Sequence, residues 1–121
     1  GMVITHAHED HIGAVAYLWD RLRCPVYCTK FTAAVLREKL HDHPESKDMP
    51  IIEIDAGKMI SIDPFKLHFL PVSHSIPEAI ATVVETDIGK VLHQNYWLML
   101  EIQPTRHRRV IAKAKKRLKK V

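Results

Sequence analysis

Apolar and polar positions alternate along this chain in short segments that switch between helix and strand periods. Met2 to Thr5 reads as a buried strand. Ile12, Val15, Ala16, Trp19 and Leu22 then recur at helical spacing, which predicts a helix from about Ile12 to Arg21 with Asp10 as its cap. Pro25 ends that region, and Val26-Tyr27-Cys28 predicts a short strand from its β-branched and aromatic content. A second helix opens at Thr29 or Lys30, with Phe31, Ala34, Val35 and Leu40 as its inner face. His41 to Asp48 is polar, interrupted by Pro44, and loop-like. The pattern then turns to strands over Ile51–Ile54, Met59–Ile62, Lys66–Leu70, Ala79–Glu85 and Val91–His93. Turns fall at Asp55–Lys58, at Asp63-Pro64 and at a hairpin over Asp87–Gly89.

At 121 residues the chain makes one domain at most, with little core to spare. No apolar run approaches the roughly 20 residues of a membrane span, and no stretch has the form of a signal peptide. A cytoplasmic protein with Cys24 and Cys28 reduced is the expectation. The net charge of +4 conceals a division. Residues 1–104 are net −5, whereas residues 105–121 carry nine Lys or Arg and no acid. The basic character therefore belongs to a tail, which suits either RNA phosphate or an amphipathic helix through Val110, Ile111, Ala114 and Leu118.

One heptapeptide concentrates the candidate chemistry: Thr5-His6-Ala7-His8-Glu9-Asp10-His11. Imidazole nitrogen and carboxylate oxygen are ligands that borderline divalent metals accept. Alternation places His6 and His8 on one side of an extended segment, and the following turn lets Asp10 and His11 approach from another direction. The order predicts two ligands for each of two neighbouring metals. By contrast, His41 and His43 lie in the polar loop and His68 at the polar phase of its strand, so all three are expected at the surface. His74 ends a strand before a Pro-containing loop, a position from which it can reach a site at a sheet edge.

The motif resembles the signature of the metallo-β-lactamase superfamily. The longer run Val3 to Leu18, with Cys24-Pro25-Val26-Tyr27 and Val72-Ser73-His74-Ser75-Ile76-Pro77-Glu78, resembles the bacterial ribonuclease J family, from about residue 2 to about residue 93. The resemblance implies an α/β (α+β) fold, a partial αββα sandwich incomplete at both ends, followed by a divergent basic tail over 94–121. It implies metal-dependent hydrolysis of RNA phosphodiesters by metal-activated water. His6, His8 and His74 would serve one metal and Asp10 and His11 a second, with Asp10 also holding or deprotonating the water. Zinc is the expected ion, with manganese as the alternative.

The family pattern breaks after His93. Where the family has Thr-Gly-Asp, with an aspartate bridging two metals, the chain reads His93-Gln94-Asn95-Tyr96-Trp97, and its next carboxylate is Glu101. One well-formed site and one weak site are therefore expected. Two rival readings stay open: a metal-binding remnant without activity, and a thioester or lactam hydrolase on the same fold. Open sheet edges also make self-association an expectation.

Overall fold

The computed structural model describes residues 1–94, in which strands alternating with helices come first and an antiparallel sheet last. Strand β1 (Met2–Val3) leads into α1 (Glu9–Ile12) and α2 (Val15–Leu22), followed by β2 (Val26–Cys28), α3 (Lys30–Leu40) and a 3-10 turn at Pro44–Ser46. The strands β3 (Ile51–Glu53), β4 (Met59–Ile62), β5 (Phe65–Pro71), β6 (Ile80–Thr86) and β7 (Gly89–His93) complete the order. The first three strands form a parallel sheet in the order β1-β2-β3, since helical crossovers return the chain in the same direction. Strands β4 to β7 form an antiparallel meander in chain order.

Strand alternation decides which residues meet which layer. Val26 and Cys28 join Ile12, Val15, Trp19, Ala33 and Leu36 in a core between the parallel sheet and its helices. Val3 and Tyr27, out of phase with them, pack with Leu67, Phe69 and Ile80 between the two sheets. A third cluster, Leu70, Ala81 and Val83, occupies the alternate positions of β5 and β6. The described residues thus supply a helix layer and two stacked sheets of the expected sandwich. None of their helices is long and apolar enough to cross a membrane.

Several local expectations are corrected. The first helical stretch begins at Glu9 and breaks at Gly13–Ala14, so it forms two helices. His8, with extended backbone, takes the N-cap position, and Asp10 lies inside the first turn. There an acidic side chain complements the positive end of the helix dipole. Leu22 is 58% exposed because α2 ends at left-handed Arg23 and the chain turns away. The Trp19 indole N–H donates to the Cys24 carbonyl at 2.8 Å across that turn. In α3 the buried face is Thr32, Ala33 and Leu36, while Phe31, Val35 and Leu40 are half-buried and Ala34 is exposed. His68 does not stand free at the surface: its Nε2 lies 2.8 Å from Glu85 Oε2 on the neighbouring strand. Cys24 and Cys28 are free thiols, and burial pushes the Cys28 thiol up to about 11.

Phe69 is completely buried between the sheets. Phe69→Ala should cost about 3–5 kcal/mol in urea unfolding, whereas Leu22→Ala should change stability by under about 0.5 kcal/mol. Comparable losses would contradict the packing described for α2.

Candidate metal centre

The heptapeptide leaves β1 where backbone pairing is running out. The Ile4 N–H still bonds Tyr27 O at 2.9 Å, and the Thr5 carbonyl then accepts the Ile80 N–H of the other sheet at 3.0 Å. This crossing places His6 and His8 beyond the end of β1 and fixes them relative to both sheets. From the second sheet, the chain after β5 supplies His74. Its loop is closed at the neck by the Val72 N–H on Ala79 O at 3.0 Å, and Ile76 packs on the helical core.

Three imidazoles converge there. His6 Nε2 lies 3.1 Å from His8 Nδ1 and 3.1 Å from His74 Nε2. Among the described residues, His6, His8 and His74 form the group of ligand atoms placed to hold a metal ion, all within 4.8 Å of one another. A tetrahedral ion with nitrogens at about 2.0–2.1 Å needs ligand atoms roughly 3.3 Å apart. The donor set therefore fits a divalent ion with small adjustments of the rings.

The electrostatics favour the metal-competent form. Burial, with the neighbouring His11, His74 and His8, lowers the His6 pKa to about 4. Burial and then His8 and His11 also lower that of His74. Neutral imidazole is the form that binds metal. The Thr5 hydroxyl meets His6 Nδ1 at 3.0 Å, which directs Nε2 to the cluster. Ser75 Oγ lies 3.3 Å from His8 Nε2.

The remaining expected site residues lie beside this cluster. The His11 ring centroid is 4.1 Å from that of His6, and its Nε2 lies 3.3 Å from Asp10 Oδ2. The Asp10 side chain is 80% exposed, so its carboxylate faces water next to the buried His6. His43 sits apart, against Tyr17 and Glu45, and His41 is exposed. Glu101 lies outside the described residues, as does the basic tail. Sequence reasoning gave no role to Thr5, for which a hydroxyl directly before the first histidine was the available signal.

The sequence matches the Beta-lactamase superfamily domain over residues 1–110. Ribonuclease J of Sinorhizobium meliloti (strain Sm2011 / Rm2011 / 2011) is 39% identical over 104 residues, covering 86% of this chain and 18% of that protein. Ribonuclease J2 of Bacillus subtilis (strain 168) is 36% identical over 89 residues, covering 74% of this chain and 16% of that one. The chain thus spans less than a fifth of the length of these curated relatives. Among solved structures, Igni18, a metallo hydrolase from Ignicoccus hospitalis, superposes with a TM-score of 0.56 at 19% identity, covering 82% of this chain and 44% of its own. The MIM-2 metallo-β-lactamase gives 0.56 at 20% identity, covering 75% and 38%. These structural likenesses speak to the fold alone.

The lowered His6 pKa has a consequence for stability. Folding holds the group near 4 while the unfolded chain returns it to 6.5, so unfolding takes up a proton between those values. The contribution is fully present above pH 6.5 and is lost as pH falls towards 4. It amounts to at most about 3 kcal/mol. Urea unfolding in the presence of chelator should show this loss between pH 7.5 and 4.5, and a smaller loss in His6→Gln. Equal losses would remove His6 as the source.

Proposed function

Because this chain belongs to the metallo-β-lactamase superfamily, we propose that it forms the metal-binding part of a hydrolase acting on RNA phosphodiesters. The observation that carries the reading is the convergence of His6, His8 and His74 in a chain whose curated relatives are ribonucleases J. An all-imidazole set of three favours zinc over the harder manganese ion, and leaves a position open for water or substrate. Asp10 and His11 are the residues available to a second ion beside it. When bound, a divalent ion supplies Lewis acidity that polarises phosphoryl oxygens and acidifies water.

The chain's own residues divide the remaining work. Asp10, at the exposed side of the cluster, accepts the proton of the attacking water, and its contact with His11 orients the carboxylate. The buried His6, steadied by Thr5, acts as the fixed corner of the ligand set. RNA is the substrate class that the ribonuclease J relatives indicate, and its phosphates would also suit the basic residues of 105–121.

Zinc titration and hydrolysis of an end-labelled RNA, measured on the same variants, test this reading. His8→Ala should weaken zinc binding by about 100-fold or more and abolish cleavage. Asp10→Ala should keep the three-histidine ion and lower cleavage by about 100-fold. RNA cleavage undiminished in His8→Ala would refute the proposed centre. Hydrolysis of small thioesters or lactams with none of RNA would refute the substrate class.

A further inference from the structure

The loop that carries His74 is fastened to the helix layer by a residue outside the ligand set. Glu78 lies at the far end of that loop, with φ 55°, a left-handed conformation that residues other than glycine adopt only at an energetic cost. Its Oε2 accepts a hydrogen bond from the Phe31 backbone N–H, 47 residues away in sequence, at 2.8 Å. Its carbonyl accepts the Thr29 hydroxyl at 3.2 Å. Thr29 is the N-cap residue of α3, yet its side chain makes no capping bond to that helix.

The N–H groups of a helix's first turn lack internal partners and carry partial positive charge. The Glu78 carboxylate therefore caps α3 from another part of the chain, and this contact offsets the strained backbone at Glu78. The effect extends beyond the helix. Other fastenings of the loop include its neck at Val72 and Ala79, the packed Ile76, and the contact of Ser75 with His8. Without the carboxylate, the Ile76–Glu78 arm, to which His74 is attached, loses the shorter of its two polar ties to α3 and keeps only the Thr29 hydroxyl on the Glu78 carbonyl. The Lys39–Glu9 pair joins α3 to the other ligand-bearing segment; Glu9 and Glu78 are both exposed, but an ion pair between two long surface side chains contributes less than a carboxylate bonded to an unpaired helix N–H.

We propose that Glu78 is a positioning residue, holding the His74 loop on the N-terminus of α3 so that the His74 ring meets His6 and His8. The proposal rests on the reading of those three histidines as a metal centre, and it adds a residue that acts through His74 rather than on the ion. Two readouts separate it from a cap that only stabilises α3. One is zinc affinity, by competition with a chromophoric chelator. The other is the nuclear Overhauser contact between the His74 and His6 rings, whose centroids are 4.5 Å apart, recorded in chelator.

Glu78→Ala should weaken zinc binding about three- to tenfold and lose the ring contact. Glu78→Gln, which keeps an acceptor oxygen, should restore most of both. If Glu78→Ala lowers the unfolding midpoint but keeps zinc affinity and ring contact, the cap is only structural and the proposal falls. A Gln variant no better than Ala would overturn the hydrogen bond as the anchor. Should the wild-type chain bind no zinc, the metal reading fails separately. The ring contact would still decide the role of Glu78, and its persistence in Glu78→Ala would overturn that role.

Discussion

Imidazole nitrogens held about 3 Å apart must share a proton or face a cation, because two lone pairs at that distance repel. His6 Nε2 stands in this relation to both His8 and His74. The local fold can be understood as the means of tolerating it. His6 is 2% exposed, so water cannot take over its hydrogen bonding. Thr5 occupies its other nitrogen, and the backbone immediately before it is bonded to β2 and to β6. A ring fixed in this way cannot rotate away from its neighbours, and the cluster stays ready for a positive ion.

Rigidity and access are divided between neighbouring residues of one short segment. His6 is buried among packed side chains, whereas Asp10, four residues later, is largely in water. The break at Gly13–Ala14 limits α1 to a single turn, and that turn carries both Asp10 and His11, the latter with its ring against His6. The second sheet contributes through a loop rather than a strand. That loop is tied to β6, to the helical core through Ile76, and to α3 through Glu78. A ligand set drawn from both sheets therefore senses the packing between them, where Phe69, Leu67 and Ile80 meet Val3 and Tyr27.

Much of this arrangement was legible in the residues alone. The strands at Val26–Cys28 and Met59–Ile62 fall where β-branched and apolar content placed them, and the hairpin at Asp87 follows from its turn residues. Boundaries were less legible. Leu22 continues the apolar stripe of α2 but is exposed, because periodicity does not report that the chain reverses at Arg23. The inner face of α3 is likewise rotated from its most apolar stripe. Thr32 is buried beside Thr29, with their hydroxyls 3.2 Å apart, a satisfied polar contact that a hydrophobicity pattern cannot anticipate.

By itself the sequence determined the element types, the donor chemistry of His6, His8, Asp10 and His11, and the family to which the motif belongs. These are local properties, set by side-chain identity and by spacing within a few residues. The resemblance also placed His74 with them, but tertiary structure alone set its 3.1 Å distance from His6, buried His6 while leaving Asp10 exposed, and brought Glu78 to Phe31. Each of these depends on how two sheets and a helix stack. That stacking is a balance of packing and backbone hydrogen bonding over the whole domain, which no short window of sequence contains.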